Sequence, residues 1–257
     1  MTTRRLARIC AKATLSFKAG YRVLRGFDDS MSRCASKLSF SQCGEDLIAW
    51  HLFSGIGVPR PTYLDIGAHH PTLLSNTALF YLLGSHGINI EPDPVLFSQI
   101  ASHRRRDTNL NIGIAREPGD LAFFRMSDSS LSTFSVTEAN RLESQENIPI
   151  LKRLTLPVWT AADVLTIHSF VPDFVSIDVE GNDLEVLESF QLEVNRPKVF
   201  CVETLTFSTK GDGKKNKDIP RFMENHGYVP YADTYLNTLF VDEQQHPRVV
   251  LERAGSE

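Results

Sequence analysis

Tyr63-Leu64-Asp65-Ile66-Gly67-Ala68-His69-His70-Pro71 is the stretch that decides the fold. Residues 62–66 form a short apolar run that ends in an acid and a glycine, the pattern of a buried strand entering a tight turn. Residues 75–83 follow with helical character, and Gly84 stands where a helix would stop. Residues 87–91 repeat the strand pattern and again close on an acid, Glu91. Asp93-Pro94 then supplies an N-cap and a proline at the first helical position, predicting a helix that reaches about His103.

The alternation continues outward. Residues 110–115 read as a third strand. Residues 117–160 read as irregular and Ser-rich around 128–135, with one extra strand over 121–126. Residues 173–179 are a buried-type strand, and Asn182 with Glu185 three residues on predicts a capping-box helix start. A fifth strand over 198–203 and a helix over 218–226 come next. Residues 228–232 and 235–241 then form a hairpin about Asp233-Thr234, an antiparallel pair. The expected fold is α/β: a Rossmann-like, doubly wound, mostly parallel sheet with a C-terminal antiparallel hairpin. Ligands of such sheets bind at the carboxyl ends of the strands. Asp65, Gly67, Glu91, Asp178, Glu180 and Glu203 all fall there.

Composition narrows the function classes. No run approaches the roughly 18 apolar residues that a spanning helix needs. Cys10, Cys34, Cys43 and Cys201 are scattered without ligand spacing, which argues against a zinc ribbon or disulfide scaffold and for a reducing cytoplasm. The net charge of −4 gives no footprint for nucleic acid. That average conceals an asymmetry, because residues 1–26 carry seven basic side chains and no acid. Leu6, Cys10, Ala13, Phe17, Tyr21 and Leu24 recur at helical spacing within this arm. A basic amphipathic helix suits peripheral contact with the anionic inner face of a membrane; a helix packed on the body, or a tail, is the plainer reading. The domain plan is an arm over 1–37, a body over 38–245 and a tail over 246–257.

Glu91 lies 26 residues beyond Asp65, near the spacing at which dinucleotide folds place a ribose-binding acid. Yet G-x-G-x-x-G is absent, since Gly67 is followed by Ala68, His69, His70 and Pro71. A turn without the second glycine suits a nucleoside ligand that has no pyrophosphate, and S-adenosylmethionine is the common one.

Six motifs in order strengthen this reading. They are Ser41-Gln42-Cys43-Gly44-Glu45-Asp46, residues 63–71, Ser75-Asn76-Thr77, residues 87–94, Leu131-Ser132-Thr133-Phe134 and Ile177-Asp178-Val179-Glu180-Gly181. Together, over roughly 38–242, the chain resembles the FkbM-type methyltransferases. The resemblance implies a class I S-adenosylmethionine-dependent fold that methylates a hydroxyl on a sugar or polyketide. It implies that Asp65, Gly67 and Glu91 belong to the cofactor site, with Ala68 in the same turn. It places Asp178 and Glu180 on the catalytic side.

The chemistry asks for alignment of oxygen, methyl and sulfur and for a group that takes the proton. Asp178, Glu180, His69 and His70 are the candidate bases. The two histidines could equally shape their loop, and Glu180 could stabilise a helix start. Asp178, Glu203 and a histidine of the first turn could also offer hard ligands to Mg²⁺, but the spacing is not diagnostic and no metal is the favoured reading. Lys210, Lys214, Lys215 and Lys217 crowd one loop at the mouth of the site, where a solvated loop is favoured over an anion-attracting one. The expected partner is a small-molecule or glycan acceptor, as in polysaccharide modification. Two rivals remain: a non-catalytic binding module with the same fold, and a nucleotide-dependent oxidoreductase.

Overall fold

The computed structural model describes residues 38–245. The expectations placed on the basic arm, its membrane contact and the tail over 246–257 lie outside the described residues. Along the chain run α1 (Glu45–Gly55), β1 (Tyr63–Ile66), α2 (Ala78–Leu82), β2 (Gly87–Ile90), α3 (Pro94–His103) and β3 (Thr108–Leu110). An insertion follows, made of β4 (Gly113–Ile114), β5 (Gly119–Met126), α4 (Val136–Gln145) and β6 (Ile150–Trp159). The chain then returns through α5 (Ala161–Ile167), β7 (Phe174–Ile177), α6 (Asp183–Glu188), β8 (Val199–Glu203), α7 (Asp218–Asn225), β9 (Tyr228–Asp233) and β10 (Asn237–Asp242).

The main sheet has the order β3-β2-β1-β7-β8-β10-β9. Its first five strands are parallel, and β10 runs antiparallel to both of its neighbours. The doubly wound sheet with its closing hairpin is therefore present. Alternate side chains divide between two faces. Ile66, Val175, Ile177, Phe200 and Val202 face the helices α5, α6 and α7. Tyr63, Phe174, Val199, Cys201 and Leu239 face α1 and α2, where Phe53, Phe80 and Phe174 meet edge to face with centroids 5.5–6.0 Å apart. Ile66 pairs with Ile177, and Ile177 with Val202, so Gly67, Asp178 and Glu203 come level at the carboxyl edge. Asn237 stands directly opposite Glu203.

Four local expectations change. The third strand does not run over 110–115: it stops at Leu110 because Asn111 turns away and donates to the carbonyls of Glu91 (2.8 Å) and Pro92 (2.9 Å). Gly113–Ile114 instead joins a second, three-stranded sheet of order β4-β6-β5. Residues 117–160 are thus mostly regular, with Phe124, Met126, Leu131, Ala139 and Leu142 forming their own core. The capping box at Asn182 does not form; Asp183 accepts from the amides of Val179 and Gly181, at 3.2 Å each, and organises that turn. Helices α1 and α5 add to those expected, α5 with a genuine capping box between Thr160 and Asp163. No helix among the described residues is long and apolar enough to cross a membrane.

Candidate active site

The site begins at Gly67. Its φ is +81°, and a Cβ there would lie 1.8 Å from the carbonyl oxygen of Asp178. Only glycine lets the β1 turn pass so close to the end of β7. The amides of Gly67 and Ala68 both donate to Ile90 O, and Asp178 N–H donates to Ile66 O at 3.1 Å. Three strand ends are stitched into one floor.

Above that floor lies a narrow cleft. Gly67, His69, Glu91, Asp178 and Glu180 line it, so five of the eight expected site residues meet here. Asp65, Ala68 and His70 are not among its lining. Asp65 is buried on the α2 side, where it accepts from Thr77 Oγ1 at 2.6 Å. Thr77 is held in turn by Arg104, itself 1% exposed and bonded to Asp107, Tyr63 and the carbonyl of Pro71. Asp65 therefore anchors the turn from beneath. His70 shapes the loop: its Nδ1 accepts from the amides of Thr72 and Leu73.

The insertion supplies the opposite wall, which the sequence reading left without a role. Ser129, Thr133 and Phe134 reach the cleft from it, although the Ser-rich run over 128–135 was the visible signal. Phe134 lies over Gly113, where a Cβ would come within 2.4 Å of its ring. Thr133 Oγ1 donates to Glu180 O at 2.8 Å, and Arg125 of β5 pairs with Asp93 at 2.8 Å. Asp93 also caps α3 through Val95 N–H, as expected.

Electrostatics sort the acids. Glu91 is buried and accepts from the amides of His69 and Asp93, at 2.8 Å each; burial nonetheless pushes its carboxyl up to about 7. Burial, then the neighbouring Asp183, pushes Asp178 up to about 7. Glu180 and Glu203 are raised well above the usual range, first by burial and then by the charge of Asp178, to which Asp183 adds at Glu180 and Glu180 adds at Glu203. Glu180 holds a left-handed backbone, φ +54°, which costs about 1–2 kcal/mol for a side-chain-bearing residue. Burial lowers His69, whose Nε2 lies 3.3 Å from Ser129 Oγ while its Nδ1 is buried without a partner. The acids that come together are Asp178, Glu180 and Glu203, so Glu180 takes the place that the sequence reading gave to a histidine.

A parallel sheet of this order, closed by an antiparallel pair and bearing its cleft over the ends of β1, β2 and β7, is a class I methyltransferase fold. The chain belongs to the FkbM methyltransferase family: the domain described as "Methyltransferase FkbM domain" matches residues 65–230. It is thus an S-adenosylmethionine-dependent methyltransferase. No curated protein matches the sequence. Among similar solved structures is the 1,6-didemethyltoxoflavin-N1-methyltransferase of Burkholderia thailandensis with bound S-adenosylhomocysteine, at 12% identity, 94% and 89% coverage of this chain and that, and TM-score 0.40. An O-methyltransferase of Bacillus cereus gives 12%, 92%, 97% and 0.40 in the same order. A putative caffeoyl-CoA O-methyltransferase of Staphylococcus aureus gives 11%, 93%, 98% and 0.44.

The residues present fit the cofactor. Gly67 lines the cleft without a side chain, and His69 Nδ1 is an orphaned polar atom in a residue lining the same cleft. Each Glu91 oxygen accepts one amide and keeps a lone pair for a ribose hydroxyl.

Proposed function

We propose that this chain transfers a methyl group to a hydroxyl of a carbohydrate-like or polyketide acceptor. The observation that carries the reading is the placement of Asp178: its carbonyl lies against the Gly67 turn while the residue itself lines the cleft. Glu91 and the Gly67 turn hold the donor side. When bound, S-adenosylmethionine supplies an electrophilic sulfonium methyl. The protein's part is then positioning and proton removal. Asp178 and Glu180 line the cleft with carboxyl groups that accept when ionised and donate when protonated, which suits a ligand rich in hydroxyls, and the ionised form gives the departing proton a base. The Thr133 bond to Glu180 O keeps that carboxylate's backbone in place.

Incubation with methyl-labelled S-adenosylmethionine and a panel of glycosides and macrolactones should give an O-methylated product by mass spectrometry. Methyl recovered only on nitrogen or carbon would overturn the hydroxyl assignment. Cofactor binding without turnover on any acceptor would favour the non-catalytic module.

Glu91→Gln tests the donor side separately. Loss of the charge from its hydroxyl bonds is worth roughly 1.5–3 kcal/mol. Calorimetry should show cofactor affinity falling by about tenfold or more. Because the free carboxyl titrates near 7, wild-type affinity should weaken as pH falls below that value, whereas the glutamine variant should stay level. A folded variant with unchanged affinity removes Glu91 from the cofactor site.

A further inference from the structure

Asp178, Glu180 and Glu203 each offer one carboxylate oxygen, and the three oxygens lie within 4.8 Å of one another. No donor among the described residues reaches any of the three side chains. An acidic cluster alone says little, but an independent feature stands in the next strand. Asn237 is 4% exposed; its Nδ2 donates to Glu45 at 2.9 Å, and its Oδ1 is buried with no donor at all. Glu45 accepts also from Thr234 and the amide of Cys43, which fixes the amide end of Asn237 in that direction. Asn237 is the direct cross-strand partner of Glu203, so the two side chains share a face with Cβ atoms about 5 Å apart. Level with Glu203 in the neighbouring strand is Asp178.

Three carboxylate oxygens therefore cluster at this edge of the sheet, and a fourth acceptor without a donor, Asn237 Oδ1, belongs to the residue directly across from Glu203. A buried carboxamide oxygen without a partner is costly unless something electropositive occupies the space beside it. An all-oxygen set selects a hard divalent cation. A Ca²⁺ shell is ~4.8 Å across, so oxygens no farther apart than that can share one ion of this size. The geometry points to a divalent-cation site made by one oxygen each of Asp178, Glu180 and Glu203, with Asn237 Oδ1 bound directly or through a metal-held water. Asp178 and Glu180 line the cleft, which sets the ion on its acceptor side. Open shell positions are left to water or an acceptor oxygen.

The test uses the full chain, stripped of metal with chelator, and Mn²⁺ as the probe. Paramagnetic resonance of free Mn²⁺ should show one saturable site, competed by Mg²⁺ or Ca²⁺. Glu203→Gln and Asn237→Leu should each weaken it tenfold or more, whereas Glu117→Gln, an exposed acid elsewhere, should not. Added Mn²⁺ should raise the thermal midpoint of the wild type and leave that of Glu203→Gln unmoved. The site is refuted by an absence of saturable binding up to about 1 mM, or by equal binding in wild type and both site variants. Cofactor calorimetry on the same samples separates the two readings. Mn²⁺ binding without cofactor binding keeps the ion site and sinks the methyl-transfer reading; cofactor binding and turnover without Mn²⁺ binding does the reverse.

Discussion

Asp178→Asn is expected to lower the turnover number by roughly 10²–10⁴-fold, the range for loss of a positioned acid–base group. The substitution preserves volume, exchanges one acceptor oxygen for an amide donor and removes the basic oxygen. The backbone bond from Asp178 N–H to Ile66 O does not depend on the side chain, so the floor of the site should stay intact. Cofactor affinity should accordingly change far less than the rate, which sets this residue apart from Glu91. Single-turnover measurement at saturating cofactor reads the effect without product release. A variant that turns over at the parent rate would move the base to His69, which also lines the cleft.

Gly67→Ala should be damaging for a different reason. The new Cβ would meet a backbone carbonyl 1.8 Å away, and the residue would sit at φ +81°. The left-handed conformation alone costs about 1–2 kcal/mol, and relief of the clash must pull β1 from β7. Destabilisation of at least about 3 kcal/mol follows, a fall of roughly 6–12 °C in Tm for a domain of this size. Gly119→Ala is the control: nothing lies within 4 Å of its Cβ position and its φ is not positive, so its midpoint should scarcely move. Equal midpoints for the two variants would show that the turn is looser than its geometry implies.

The parallel core was legible because its strands are short apolar runs bounded by glycine, proline and aspartate, and because each is buried on both faces. Asp93-Pro94 was legible because a cap is a local interaction. The insertion was not. Strand β6 carries Lys152, Arg153 and Pro157 and is largely exposed, so no continuous hydrophobic run marks it. Helix α1 escaped because Leu47, Ile48, Ala49, Trp50, Leu52 and Phe53 nearly encircle it and no one-sided stripe appears. The end of β3 at Leu110 depends on where the Asn111 side chain bonds, a tertiary fact.

The site divides the same way. Acids at strand ends could be listed from the pattern, and Glu91, Asp178 and Glu180 do face the cleft. Asp65 also closes a strand, but its side chain is drawn into the Thr77–Arg104 network on the other side of the turn. Whether an acid faces a ligand or a buried arginine network is set by partners a dozen or more residues away. Sequence spacing does not carry that information.

The left-handed backbone at Glu180 has a bearing on laboratory evolution. Glycine at this position would release the strain of φ +54° and remove one of three crowded carboxyl groups. A screen that rewards heat resistance alone should therefore drift towards Glu180→Gly and recover sturdy proteins that have lost a carboxylate facing the cleft. Chains recovered by a screen for methyl transfer should keep an acid there and remain less robust. Position 180 would thus report which of the two pressures a population had met.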